Sequence, residues 1–488
     1  MGDERDPGLP IKLEPCSNTE FAPPPPSELV RETVRRARRM CEERALKLGM
    51  PRREFLLSSM GAATTLAALA ACSDDSSNGT SGGTFEVPEE ATIDPEAALE
   101  MLGSDQPIID VQTHFLDDSP DVSDLSNLFL GFRPECDPED PRACFTTDRW
   151  IEEVFGRSDT TMAVLSALPI PEGADPLSAE IMDAARRQLE EICDSEGRVL
   201  VQGHAQPNQG ELQAKFDAME EEAQRYPVVA WKTYTHAGTG WTLDDSAGEP
   251  IGEAFLAKVE EMGIDIVCVH KGFNLGLNDN PVFHQARDVG PAARNHPDLR
   301  FCIYHSGFET SVAEGPYDPD APNDGVDLLI KSLEDNAIEP GGNVYAELGG
   351  TWRSVMQDPD TAAHVLGKLL LAVGEDRILW GTDSIWFGSP QDQIQALRTF
   401  QISEEFQERY GYPQLTDELK AKIFWRNAAQ LHGIDVYRLT CDAAATDPAS
   451  REEARRATRL SNATYGPKTA ELSRRMFLAA HPWALPGS

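Results

Sequence analysis

The sequence predicts an α/β protein built as a (β/α)8 barrel, and three observations carry that prediction. Eight short runs rich in β-branched and aromatic residues recur from residue 105 onward. Amphipathic stretches of helical period separate them. The runs are nearly continuous in apolar residues, as buried parallel strands must be. Strand and helix alternating eight times is the pattern of a closed parallel barrel. A doubly wound open sheet is the alternative, but no GxGxxG follows the first run, so a dinucleotide fold has no support.

The eight runs fall at 107–112, 161–168, 198–203, 228–234, 265–270, 299–305, 343–348 and 377–383. Helices are expected around 177–196, 210–226, 249–262, 281–296, 325–338 and 359–374, with a further pair at 390–406 and 416–432. The first strand-to-helix connection, 116–147, is long and rich in Asp, Pro and Cys. A loop of that length on the C-terminal face of a barrel shapes the pocket.

The flanks divide the rest of the chain. Residues 1–50 read as an extension. A Pro-rich, disordered start including Pro23–Pro26 leads into a basic helix over 28–48, with Ser27 as N-cap. In 51–72, Arg52-Arg53 precede Phe55-Leu56-Leu57 and an uncharged stretch ending Leu69-Ala70-Ala71-Cys72. This resembles a twin-arginine export signal with a lipobox. It implies a periplasmic or cell-envelope protein that meets the membrane only through the signal or a lipid on Cys72. The apolar part is short for a membrane span, which takes ~20 residues; a buried helix is the other reading. Met1, Met40 and Met50 all stand as translation starts. Residues 73–104 read as a flexible linker, 105–435 as the barrel, and 436–488 as a helical tail. That tail has a charged piece at 450–460 and an apolar end, Met476 to Trp483.

Composition sets bounds. The 488 residues are 40% hydrophobic, enough for a substantial core, and the formal net charge of −39 argues against nucleic acid, which needs a basic footprint. Nine Cys without a CxxC exclude a structural zinc finger. Cys136 and Cys144 lie in one irregular segment and would pair in an oxidising compartment. Cys268 and Cys302 sit inside apolar runs and read as core thiols.

Polar residues collect where the runs end. Gln112 and His114 share one face of the first strand, because residues i and i+2 point the same way. The third run ends near His204, the fourth carries Lys232 with Tyr234 and His236 at the same parity, the fifth ends in His270 and the sixth in His305. Glu347 lies on the seventh, and Asp383 ends the eighth. Convergent imidazoles and a carboxylate are the donors of a borderline divalent metal, zinc first and manganese second. Tyr234, His204, His236, Glu347 and Arg353 are further pocket candidates. His284, His296, His364 and His432 read as packing or surface residues.

Five pieces in order carry a resemblance to the amidohydrolase superfamily, in its amidohydrolase-2 branch, which includes aminocarboxymuconate-semialdehyde decarboxylase. They are Ile109-Asp110-Val111-Gln112-Thr113-His114, Val269-His270-Lys271-Gly272, Ile303-Tyr304-His305-Ser306-Gly307, Leu379-Trp380-Gly381-Thr382-Asp383 and Asn427-Ala428-Ala429-Gln430-Leu431-His432-Gly433. The resemblance implies that His114 and His270 are metal ligands and that Gln112 stands at a third ligand position. It implies that His305 orients substrate or water, and that Asp383 binds metal and shuttles a proton; Lys232 is the candidate site cation. The family's first strand usually carries His-x-His, or Glu-x-His in some decarboxylase-like members. Here Gln112 replaces the first of these, and an amide is a weak, neutral donor. The expected activity is metal-dependent hydrolysis of a small carboxylic, lactone or amide compound. Non-oxidative decarboxylation, or ligand binding without catalysis, are the alternatives. Substrate identity and homo-oligomerisation stay open.

Overall fold

The computed structural model describes residues 6–77, 81–116, 141–168, 175–193, 197–274, 280–436 and 462–480. Eight parallel strands form one sheet in sequence order: β2 (Ile109–Thr113), β3 (Met162–Leu165), β4 (Val199–His204), β5 (Val228–Tyr234), β6 (Ile266–His270), β7 (Arg300–Tyr304), β8 (Val344–Glu347) and β9 (Ile378–Leu379). The chain after β9 returns to β2. The Val111 amide donates to the Trp380 carbonyl at 3.0 Å, that of Asp383 to Gln112 at 2.9 Å, and that of His114 to Ser384 at 2.6 Å. Those bonds close the barrel as predicted. A minor antiparallel pair, β1 (Gly83–Phe85) and β10 (Phe400–Ile402), lies outside it.

Local chemistry explains the seam. The buried Asp110 carboxylate accepts from the amides of Thr382 at 3.0 Å and Gln112 at 3.2 Å, and from the Thr382 hydroxyl. The β2–β3 register shifts between Asp110 and Thr113, a bulge that re-aims the side chains beyond it. β9 is two residues long because the Trp380 amide donates to Ile423 of a following helix instead of a neighbouring strand. Gly381 must lack a side chain, since a Cβ there would lie 1.7 Å from Glu347 Oε1.

Several expectations need correction. The 281–296 stretch is two 3-10 turns and a short helix, Val289–Asn295. The 390–406 stretch is a helix, Gln391–Thr399, then β10, then a second helix, Glu404–Tyr410, capped by the Ser403 hydroxyl. The supposed linker 73–104 contains β1 and a helix Pro95–Leu102, whose N-cap Asp94 accepts from two amides. Residues 117–140, Cys136, the 450–460 piece and residues 481–483 lie outside the described residues; Cys144 is disulfide-bonded.

The N-terminal region departs most from expectation. The basic helix α1 (Glu28–Leu48) forms with Ser27 as its cap. The export-like stretch becomes α2 (Arg52–Leu56) and α3 (Ser59–Ser77), and α3 is buried over most of its surface, Cys72 included. A helix apolar on every side has to be enclosed. Its Ala- and Gly-rich surface lets α1 lie close, and both join the main hydrophobic core. Among the described residues no helix is long and apolar enough to cross a membrane. Residues 6–26, expected to be disordered, form an irregular arm packed on the barrel. Leu9, Ile11, Leu13 and Phe21 are buried. The buried Lys12 ammonium donates to the carbonyls of Phe387 at 2.7 Å and Ser389 at 2.5 Å, and pairs with Asp392 at 3.1 Å. Proline and polar residues made this stretch look unstructured, but the barrel supplies partners for its backbone and charges.

Candidate active site

Gln112, His114, His270, His305 and Asp383 converge at the C-terminal mouth of the barrel, and all are buried. Each of these three imidazoles has one nitrogen held by backbone carbonyls. His114 Nδ1 is 2.7 Å from the Ser166 oxygen, His305 Nδ1 is 2.7 Å from Gly349, and His270 Nε2 is 2.9 and 3.0 Å from Gly272 and Phe273. A carbonyl only accepts, so the single proton of each neutral ring sits on that nitrogen. Burial holds the rings neutral, with His114 lowered to about 4 and His270 and His305 well below the ordinary histidine range. The other nitrogens, His114 Nε2, His305 Nε2 and His270 Nδ1, therefore present lone pairs.

Those lone pairs face a shared polar cluster. His114 Nε2 lies 3.3 Å from Asp383 Oδ1. The Gln112 amide nitrogen is 3.4 Å from His114 Nε2, His305 Nε2 and Asp383 Oδ1 alike. His270 Nδ1 has no hydrogen-bond partner among the described residues. Burial raises the Asp383 pKa to about 7, against the opposing hydrogen bond from Asn18 and the charge of Lys232. Tautomers fixed by carbonyls, lone pairs turned to a carboxylate and an orphaned buried nitrogen make a donor set that fits a divalent cation.

The backbone is strained at this site. Phe273 (φ 30°), His305 (φ 66°), Ser306 (φ 53°) and Asp383 (φ 58°) all take left-handed conformations without being glycine. Such residues cost energy and cluster at functional sites. Glu347 helps hold one of these turns, accepting from the amides of His305 at 3.0 Å and Gly349 at 2.5 Å.

The family model for amidohydrolases matches residues 109–434, more than half of the chain. The chain belongs to the amidohydrolase family. It is an enzyme of that family. No curated protein matches the sequence. Among solved structures, the chain is similar to three proteins that illustrate the range. A 5-carboxyvanillate decarboxylase from Novosphingobium aromaticivorans with bound manganese is 13% identical, over 67% of this chain and 97% of that one, with a TM-score of 0.43. The 2,6-dihydroxybenzoate decarboxylase from Rhizobium is 17% identical, over 67% and 99%, at 0.40. An uncharacterised TIM-barrel protein from Bordetella bronchiseptica is 15% identical, over 67% and 98%, at 0.41.

In this amidohydrolase the remaining candidates take different places. The Lys232 ammonium is buried, has no hydrogen-bond partner among the described residues, and lies over the rings of Tyr304 at 3.8 Å and Tyr234 at 4.6 Å. Burial lowers its pKa to about 8 against the attraction of Glu20 and other nearby anions. The Tyr234 ring stacks on His270, and its hydroxyl donates to the Ala167 carbonyl. His236 packs 4.6 Å from the His270 ring, and His204 faces Asp175 at 2.9 Å. Arg353 turns to the arm and donates to the Glu14 carbonyl at 2.9 Å.

Sequence reasoning missed Asn18, Glu20 and Phe21 of the arm. The Asn18 amide donates to Asp383 Oδ2 at 2.6 Å and to Glu20 Oε2 at 2.5 Å. The Glu20 carboxylate lies 3.5 Å from both His270 Nδ1 and His305 Nε2, and Phe21 stacks on Phe273 at 4.6 Å. The available signal was the alternation Leu9, Ile11, Leu13, which marks an extended segment with one covered face.

Proposed function

We propose that this enzyme is a metal-dependent hydrolase acting on a small carboxylic, lactone or amide substrate. The supporting observation is the set of carbonyl-oriented histidines whose free nitrogens turn into one buried cluster of carboxylates, His114 Nε2 toward Asp383 and those of His270 and His305 toward Glu20. His114, His270 and Asp383 would hold the metal, zinc or manganese, with Gln112 beside them. A divalent cation there would supply Lewis acidity, activating water and polarising a carbonyl or carboxylate. Asp383 takes the proton from the attacking water. His305, whose Nε2 carries no proton, accepts a hydrogen bond and orients that water. Lys232 supplies the positive charge facing an anionic group or developing oxyanion.

Lys232 also favours a second reading. A buried ammonium beside a metal site suits a substrate carboxylate, as non-oxidative decarboxylation would require, with Asp383 then giving its proton to the carbanion. A panel of lactones, amides and aromatic carboxylates, presented to protein loaded with zinc or manganese, separates the two. Ring opening or amide cleavage supports the hydrolase, and carbon dioxide release the lyase. A chain that binds neither metal would sink both.

A further inference from the structure

We propose that Glu20, far outside the matched family region, is a metal-binding residue of the active site, delivered by the N-terminal arm. The inference rests on the metal-dependent reading above and extends it to a part of the chain that the family pattern does not include. Three observations carry it.

Glu20, His270 and His305 each offer one ligand atom, and these atoms lie within 4.8 Å of one another. The Glu20 carboxylate is only 12% exposed, and its two oxygens divide between the imidazoles, Oε1 toward His270 and Oε2 toward His305. His270 Nδ1 is fully buried and lacks a hydrogen-bond partner among the described residues, although Glu20 lies 3.5 Å away. That nitrogen carries a lone pair, and 3.5 Å is too long for a hydrogen bond to it from a protonated Glu20 carboxyl. Two acceptors facing each other in a buried site repel unless a proton or a cation lies between them, and this spacing leaves room for the cation.

The arm is built to hold Glu20 in place. The Asn18 side chain accepts from the Glu20 amide at 2.9 Å, while its own amide bridges Glu20 and Asp383. The Ser17 hydroxyl accepts from the Thr19 amide at 2.9 Å, and Thr19 takes φ 80°. Phe21 locks the next position against Phe273. The charge balance agrees. Gln112 contributes only a neutral amide to the site, and Glu20 brings a carboxylate from a different element.

Metal affinity tests the proposal without a known substrate. The full-length protein, Glu20→Gln, Glu20→Asp and Glu14→Gln would be stripped with chelator and titrated with zinc or manganese against a competing dye. Metal content and melting temperature would be measured alongside. Glu14 lies on the same arm with a side chain 58% exposed, so its variant controls for charge. The proposal predicts that Glu20→Gln weakens affinity about 10- to 100-fold, that Glu20→Asp weakens it less, and that Glu14→Gln leaves it unchanged. Wild-type protein that binds metal no more tightly than Glu20→Gln overturns the role of Glu20. Tighter binding by Glu20→Gln also overturns it and makes the arm a plug that competes with the cation. Wild-type protein that binds no metal removes the metal-dependent reading itself.

Discussion

Replacing Lys12 by Met would release the arm from the barrel while leaving the barrel folded. The ammonium is 6% exposed and makes three contacts, to the Phe387 and Ser389 carbonyls and to Asp392, which is itself 1% exposed. Methionine fills a similar volume but donates nothing. The docked state would then bury an Asp392 carboxylate whose one hydrogen-bond partner among the described residues is the Lys12 backbone amide, 3.1 Å from its other oxygen. Breaking a buried pair from one side costs about 3–5 kcal/mol. Undocking lets water reach the orphaned groups, so the loss falls on arm docking. At 1.4 kcal/mol per tenfold, docking would weaken by roughly 10²-fold to several thousand-fold. Hydrogen exchange under native conditions reads this directly. Amides of residues 9–21 should exchange faster by that factor, while those of β6 to β8 keep their protection. Unchanged exchange in the arm would refute the assigned role of Lys12. Equal acceleration throughout would show that arm and barrel open only together.

Other outcomes follow from the same geometry. Asp383→Asn should preserve the fold, because asparagine tolerates the φ of 58°, yet lower kcat about 10²- to 10⁴-fold on any substrate the panel reveals; melting temperature and initial rates check the two halves. Gly272→Ala forces a side chain onto φ 96°, with its Cβ 2.4 Å from the Phe308 oxygen. It should cost about 2–4 kcal/mol in denaturant titration and loosen the carbonyl that orients His270. Burial lowers the Lys420 pKa to about 8 from its ordinary 10.5, against the attraction of Asp417 and Glu86. Between those values the unfolded chain binds more protons than the native one, so this group makes stability rise with pH. Lys420→Met should flatten that rise in unfolding curves between pH 8 and 10.5, and an unchanged slope would contradict the burial argument.

The barrel was legible because its signals are local. A strand buried on both faces needs a continuous apolar run, and parity puts Gln112 and His114 on one side whatever lies around them. The polar ends of the runs survive for the same reason, and His270, His305 and Asp383 meet where the strand order places them. Boundaries were less legible: β9 shrinks to two residues because Ile423, in a later helix, takes the Trp380 amide. The 390–406 stretch breaks because Phe400–Ile402 pairs with Gly83–Phe85, a partner more than 300 residues away.

What the sequence determined by itself is therefore the repeating architecture, the order of the strands and the residue types at their C-terminal ends, since each follows from chain periodicity. Tertiary structure alone decided which nitrogen of His114 and of His305 carries the proton, since the Ser166 and Gly349 carbonyls that choose it come from other loops. It also decided that an export-like helix lies enclosed against α1 and that a proline-rich arm is ordered. Asn18 reaches Asp383 across 365 positions of chain, and no local pattern encodes a partner at that separation. Only a closed barrel, with a buried aspartate waiting for Lys12, gives that arm a fixed place to lie.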